Sequence, residues 1–436
     1  MMPQNLRIDR MIYGGDALAH RDGSELSREE TAIPFVLPGE LVQITSANKI
    51  SVLEPSADRI DPACVHFGSC GGCHYQHATY AAQLAVKRDI LRDTLQAAGL
   101  EELPEIEVRA AQSWHYRNRI RLRVGLIDGK LRVGYNRHGA SGGDPLLPIT
   151  MCPIAAPLLW QAATTLLETS TTEPALRSWL DSAIELELFT NVDETALQLT
   201  LFTRKPPAAS FAAFCKAAQR AIPQLIGAGV SVLPKKPSPQ GRRFEQAKPG
   251  PQWGTSGLVY EVGEYRHWIG RGGFFQVNRY LVEKLLQLAT AGRTGNIAWD
   301  LYAGVGLFSK ALTKSFAAVT GVEPAEPAVT SLTAALKSPN RALPMTTLDF
   351  LEAAVVQRER PDLIVMDPPR SGVGPEACAL LARIRAPQLA YVSCDPITLA
   401  RDLKLLTAAG YSLSALHLVD MFPQTFHMES VAILNR

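Results

Sequence analysis

From about residue 280 to the C-terminus, helical and strand-like segments alternate at short spacing, and no other feature constrains the fold as much. In order they read YLVEKLLQLAT (helix), NIAWDLY (strand), a helix around FSKALTKSF, AVTGVE (strand), a further helix, DLIVMD (strand), PEACALLARI (helix), LAYVSC (strand) and ITLARDLKLLTAAG (helix). Such alternation predicts βαβ units and a mostly parallel sheet. Sheets of this kind bind ligands beyond the carboxyl ends of their strands, so the residues that follow each strand are the candidates for chemistry.

The first strand runs into Asp300-Leu-Tyr302-Ala-Gly304-Val-Gly306, and the second ends in Gly321-Val-Glu323. Small residues let backbone approach a nucleotide, and an acid about twenty residues on can accept bonds from ribose hydroxyls. Ser309 stands where a dinucleotide fingerprint would place its third glycine. S-adenosylmethionine has no pyrophosphate to cradle, and the Asp300/Glu323 pair suits it better. The strand DLIVM delivers Asp367 to a stiff Pro368-Pro369 turn, followed by Arg370 where an adenine-methylating enzyme would carry an aromatic. The strand LAYVS delivers Cys394, with Asp395 at the N-cap and Pro396 at the first position of the next helix. A helix N-terminus favours thiolate over a reference pKa of ~8.5, with the Asp395 carboxylate working against it. His427 and Glu429 lie two apart just before an apolar strand, on one face if the strand has already begun there, and either suits a general base.

Residues 1–57 carry apolar, β-branched stretches around Gly/Asp turns and predict a small β-barrel. Cys64-x5-Cys70-x2-Cys73, with Cys152-Pro153 further on, has the pattern of a thiolate metal site, zinc or iron–sulfur. A helix over 80–98 follows the cysteine loop, then antiparallel strands, and a basic Pro/Gly-rich stretch at 234–251 reads as an exposed loop. Lys+Arg 44 against Asp+Glu 42 leaves a net +2, which favours no polyanion partner by itself. The distribution is less even. Arg117, Arg119, Arg121 and Arg123 recur at period two and predict one basic strand face, and Lys235, Lys236, Arg242, Arg243 and Lys248 form a second cluster. Together they suggest a localised track for nucleic acid. Nothing in the sequence reads as a membrane span or a signal peptide, so the expected location is cytoplasmic, with reduced thiols and no membrane partner.

FVLPGE, the cysteine triplet with its distant Cys-Pro, GGFFQVN, DLYAGVG, MDPPR, VSCDP and the terminal HMES strand, in that order, resemble the bacterial 23S rRNA (uracil-5-)-methyltransferases, in the iron–sulfur branch that carries an N-terminal TRAM domain. The resemblance implies a multidomain α/β chain: an OB-like TRAM barrel over 1–57, an iron–sulfur loop and mostly antiparallel β domain over 58–262 (the 80–98 helix packing with the domain that follows), and a Rossmann-like class I methyltransferase over 263–436. It implies that Gln276, Tyr302, Gly304, Glu323, Asp349 and Asp367 contact S-adenosylmethionine, that Cys394 is the nucleophile and Glu429 the base. Leu307 departs from the family, which often has Asn there. Cys64, Cys70, Cys73 and Cys152 would hold a [4Fe–4S] cluster, with zinc the alternative, and the basic strand would hold RNA. The implied partner is 23S rRNA before or during subunit assembly, met by a monomer. The alternatives are a transfer RNA T-loop uridine, an adenine N6-methyltransferase and a non-catalytic RNA-binding iron–sulfur assembly factor.

Overall fold

A computed structural model describes residues 4–21, 31–45, 49–139, 145–236, 238 and 245–436. Five short strands open the chain: β1 (Gln4–Met11), β2 (Asp16–Arg21), β3 (Thr31–Pro34), β4 (Leu41–Ile44) and β5 (Ile50–Glu54). They form an antiparallel sheet in the order β3-β2-β1-β4-β5. Leu6, Ile8, Ala17, Ala19, Ile33 and Val42 are buried, as the period-two alternation of a strand requires. Gly14 and Gly15, both at positive φ, turn β1 into β2. Against the expectation of a barrel, β3 and β5 are the edges of this sheet and do not pair with each other among the described residues.

After the cysteine loop come α1 (Tyr80–Ala97), capped by the Thr79 hydroxyl, and β6 (Ile106–Arg109). There follow β7 (Arg119–Ile127), β8 (Lys130–Tyr135), β9 (Leu147–Pro148), α2 (Pro157–Thr169), α3 (Pro174–Ser182), β10 (Ala183–Thr190), β11 (Leu197–Thr203), α4 (Phe211–Ala221), β12 (Leu225–Val232) and β13 (Lys248–Gly254). Strands β7 to β13 form a second sheet, ordered β13-β12-β11-β10-β7-β8-β9. It is antiparallel except for β11 and β12, which the α4 crossover makes parallel. Helices α2 to α4 set Leu159, Leu180 and Phe214 against Leu122, Leu188 and Leu199 of the sheet. The stretch read as a loop at 234–251 ends in an edge strand: from Lys248 the chain pairs with β12, leaving Lys235, Lys236 and Lys248 exposed. Arg242 and Arg243 lie outside the described residues.

The hairpin β14 (Gly257–Val262) and β15 (Tyr265–Gly270) leads into the last unit. It comprises α5 (Val282–Thr290), β16 (Gly295–Leu301), α6 (Leu307–Leu312), β17 (Phe316–Val322), α7 (Ala328–Ala335), β18 (Arg341–Leu343), α8 (Thr347–Gln357), β19 (Leu363–Met366), α9 (Pro375–Ile384), β20 (Gln388–Ser393), α10 (Pro396–Ala408), β21 (Ser412–Val419) and β22 (Glu429–Asn435). The sheet order is β18-β17-β16-β19-β20-β22-β21-β6. Strands β16 to β20 are parallel, and all four residues of β19 are buried, as in a strand covered on both faces. Strand β22 runs antiparallel between β20 and β21, and β6 joins β21 as the parallel edge, far from its sequence neighbours. The order reverses at β16, so the crevice at the carboxyl ends of β16, β17 and β19 is where a ligand is expected. No helix among the described residues is long and apolar enough to cross a membrane.

Candidate active site and cysteine cavity

At the switch point, Asp367 begins where β19 ends, and the buried Gln276 donates Nε2–H to Asp367 Oδ2 at 3.0 Å. Tyr302, Gly304 and Gly306 all have positive φ, so the turn after β16 is a run of left-handed residues. Tyr302 holds that conformation as a non-glycine, a strained state that usually persists only where the surroundings over-determine it. At Gly306 the φ of 87° is what favours glycine, and an added Cβ would also stand 2.9 Å from the Leu332 Cδ1 methyl, which would have to shift. The Gly304 amide donates to Glu323 Oε2 at 3.0 Å, bringing the acid of the second strand to the turn. Asp300 takes a different place from the one read in the sequence. It is fully buried and accepts from the Ser309 amide and hydroxyl at 2.7 and 2.5 Å, so it ties down the start of α6 instead of facing the crevice. Burial pushes its carboxyl up to about 7, against the pull of those bonds. Asp349 is exposed and closes a capping box at α8, its carboxylate accepting from the Thr346 hydroxyl at 2.6 Å.

Cys394 follows β20 directly. Asp395 caps α10 as expected, its Oδ1 accepting from the amides of Ile397 and Thr398 at 3.0 Å. The base candidate arrives by a route that periodicity does not show. Ser393 pairs with Ser430 in the antiparallel ladder of β20 and β22, so one step further along it Cys394 stands across from Glu429. Glu429 is 2% exposed, and its Oε1 has no hydrogen-bond partner. Burial first, then the neighbouring Asp367, hold the Glu429 carboxyl well above the usual carboxylate range, with Arg370 opposing. Burial, then Glu429 and Asp367, push the Cys394 thiol up to about 12, with Arg370 pulling it down. Burial and these two carboxyl groups work against the thiolate that the helix N-terminus was expected to favour.

His427 precedes β22, so it and Glu429 do not share a strand face, and neither is exposed. Its Nδ1 accepts from Arg370 at 3.0 Å, and burial together with Arg370 pulls the imidazole down to about 3. A neutral ring held as an acceptor is a poorer proton-taker than Glu429. Tyr13, on the turn after β1, reaches the same place: its hydroxyl donates to Asp395 Oδ2 at 3.3 Å and its ring meets Phe426 edge-on. Nothing in the local sequence around Tyr13 signals this, because the contact spans 382 positions.

The arginines predicted to share one strand face divide. Arg117 precedes β7 and turns toward the cysteines, whereas Arg119, Arg121 and Arg123 alternate with buried Ile120 and Leu122 on β7. The neighbouring β10 matches them with acids. Arg121 donates to Glu185 at 2.7 Å, and Arg119 lies 3.8 Å from Glu187 and donates to the Gly273 carbonyl at 2.7 Å. Arg123 donates to Asn136 at 2.9 Å. The alternating E-L-E of AIELELFT was the available signal for this pairing.

Cys64, Cys70, Cys73 and Cys152 line one cavity of about 240 Å³, with Arg117 and Tyr135 on its wall and Phe422 and His427 at its side nearest Cys394. All four are free thiols, and burial pushes Cys70 up to about 11 and Cys73 up to about 12. The buried Nε of Arg117 has no hydrogen-bond partner and faces Cys152 and Cys73, a positive charge suited to thiolates. Among the described residues no three His, Cys, Asp or Glu side chains stand close enough to hold a single metal ion. One zinc ion would draw four sulfurs to ~2.3 Å from a common centre.

Comparison with known proteins agrees with this geometry. Residues 345–436 match the family model of tRNA (uracil-5-)-methyltransferases. The chain is 30% identical to an uncharacterized RNA methyltransferase of Thermotoga maritima, over 99% of both chains. It is 29% identical to a 23S rRNA (uracil(1939)-C(5))-methyltransferase of Chromohalobacter salexigens, over 99% of this chain and 89% of that one. In fold it resembles the Pyrococcus abyssi tRNA (uracil-54, C5)-methyltransferase solved with S-adenosyl-L-homocysteine, with a TM-score of 0.73 at 22% identity, over 98% of this chain and 99% of that one. A strand-end cysteine facing a buried glutamate, beside a nucleotide-type crevice and on a chain alignable end to end with such relatives, has one family context: this chain belongs to the RNA (uracil-5-)-methyltransferases.

Proposed function

We propose that the chain methylates C5 of one uridine in 23S rRNA through a covalent adduct on Cys394. The observation that carries this reading is the meeting of Cys394 and Glu429 across the ends of β20 and β22, with Asp367 beside them. Uracil C5 is too weak a nucleophile to take a methyl group unaided. Cys394 gives its proton to solvent and attacks C6 as the thiolate to make an enolate, C5 then takes the methyl group from the sulfonium, leaving S-adenosylhomocysteine, and the Glu429 carboxylate removes the C5 proton so that the C6–S bond breaks and the thiolate leaves. S-adenosylmethionine supplies the methyl group and a positive charge that relieves the crowding of Asp367, Glu429 and Cys394. Gln276, Tyr302, Gly304, Glu323 and Asp367 are its proposed contacts, and Asp349, already engaged with Thr346, sits at most at the rim. The target base must leave its stack to reach Cys394. Residues 1–57 are read as the TRAM unit, 58–262 as the iron–sulfur and central β unit and 263–436 as the methyltransferase, working as a monomer in the cytoplasm.

The 23S assignment is supported by the Chromohalobacter relative, whose named substrate is ribosomal. Mapping 5-methyluridine in total RNA from cells with and without the gene tests it. Loss of one ribosomal 5-methyluridine is the expected result, and loss from transfer RNA alone would overturn the assignment.

Cys64, Cys70, Cys73 and Cys152 are proposed to hold a [4Fe–4S] cluster that ties residues 64–73 to the Cys152 turn, since the methyl transfer moves no electrons. Anaerobically purified protein should contain about four irons per chain and absorb visible light. Cys152→Ser should lose most of both. Zinc without iron in the wild-type protein would replace this assignment.

Arg121 and Arg123 are proposed to face RNA, with the charge of Arg121 partly answered by Glu185, whereas Arg119 is held inward by Gly273 and Glu187. Changing Arg121 and Arg123 to Gln should weaken RNA binding and flatten its salt dependence by less than the ~0.9 per residue of a full phosphate contact, with cofactor affinity unchanged. A filter-binding salt titration checks this, and an unaltered slope would remove the strand from the RNA path.

A further inference from the structure

The segment 420–425, which ends four residues before Glu429, is gripped from three sides by groups that the chemistry above does not use. Helix α1 presents Tyr80, Gln83 and Lys87, spaced three and four apart and hence on one face. Lys87 Nζ donates to Asp420 Oδ1 at 2.6 Å and to the Phe422 carbonyl at 3.0 Å, and the Tyr80 hydroxyl donates to Asp420 Oδ2 at 2.8 Å. Lys87 and Asp420 are both 0% exposed. Gln83 exchanges a pair of bonds with Gln424, donating to its side-chain oxygen and accepting from its backbone amide, both at 3.0 Å. The cysteine loop supplies a second grip, as the amides of His74 and Tyr75 donate to the Gln424 carbonyl at 2.8 and 3.0 Å. Asn278, two residues after Gln276, holds the third side, donating to the Met421 carbonyl at 3.2 Å.

Gln424 is thereby fixed at a φ of 69°, a strained conformation for a non-glycine residue. A helix face this polar and this deeply buried is a poor contribution to a core. An ion pair taken out of water is weak evidence of stabilisation and better evidence of specified geometry. What it specifies here is the path of the backbone into Glu429, and the same grip includes the loop bearing Cys73 and the residue region bearing Gln276.

We propose that the Tyr80–Gln83–Lys87 face of α1 is a positioning device for Glu429, setting the proton-removal step without touching substrate or cofactor. This rests on the assignment of Glu429 as the base. Loss of position should therefore slow release of the adduct, not its formation.

The test uses the full chain with its cluster, S-adenosylmethionine carrying a labelled methyl group, and total RNA from cells lacking the gene. Tyr80→Phe and Gln83→Leu each remove bonds while keeping bulk, and Lys87→Met is the drastic variant, because it strands Asp420. For the two mild variants kcat should fall about 10- to 100-fold, the scale of a misplacement near 1 Å. KM for RNA and Kd for the cofactor should stay within about twofold, and the denaturation-resistant protein–RNA adduct should rise several-fold above wild type. Unchanged kcat, or adduct and cofactor binding lost in parallel with activity, would overturn the proposal in favour of a merely structural role. Glu429→Gln separates the two levels: if it builds up no adduct, the base assignment fails, whereas if it does and the α1 variants do not, only the positioning role fails.

Discussion

Cys394→Ala is expected to abolish both methyl transfer and the covalent protein–RNA complex, by at least about 10⁴-fold in single-turnover rate, while cofactor affinity changes by less than about threefold. The size follows from the chemistry: without a sulfur at C6 there is no enolate, and no other cysteine stands at that strand end. Cys215 and Cys378, both buried in hydrophobic clusters, cannot substitute. Cys394→Ser should be nearly as inactive, since an alcohol is harder still to ionise than a thiol already pushed up to about 12. Denaturing gels with labelled RNA and equilibrium binding of the cofactor read the two quantities separately. Full transfer by the alanine variant, with methyladenosine as product, would defeat the mechanism and favour the amino-methylating alternative.

The second large effect belongs to Glu429→Gln, whose kcat should fall about 10² to 10⁴-fold, the usual contribution of a placed general base. Unlike the cysteine variant it should still add to C6 and accept the methyl group, so adduct accumulates. It also carries a stability signature. In the folded chain the Glu429 carboxyl is held above its ordinary value of 4.5, chiefly by burial, so between pH 4.5 and its native value the native state holds a proton that the unfolded chain has lost. Stability falls with rising pH wherever the native state binds more protons, so this residue opposes folding at neutral and alkaline pH and is neutral in effect below about pH 4. The glutamine variant should therefore melt higher than wild type at pH 8 and equal to it at pH 4. Equal melting temperatures at both pH values would mean that burial does not raise the Glu429 carboxyl in the free chain.

Local chemistry was the legible part of the site. The strand-end position of Cys394, the Asp395 cap and Pro396 at the helix start are each written in five consecutive residues, and the parallel core follows from alternation. What stayed hidden depends on pairings between distant segments. That Glu429 faces Cys394 follows from β22 entering antiparallel between β20 and β21, a choice no periodicity encodes. Asp300 looked like a ligand-facing acid because strand-end position alone does not say which way a carboxylate turns, and Ser309 claims it. Helix α1 is legible as a helix over 80–98, but its polar face acquires meaning only beside Asp420 and Gln424. The arginine strand looked like a bare basic face until β10 set glutamates beside it.

The edge strand β6 and helix α1 also impose an order in time. Both are synthesised early, yet their partners β21 and the segment 420–425 lie about 300 residues later. At roughly 5–20 residues per second, some 15–60 s separate the two in a growing chain. During that interval Lys87 lacks its partner Asp420 and β6 lacks its neighbour β21. Glu429 is then seated only once β21 and β22 have been synthesised and paired.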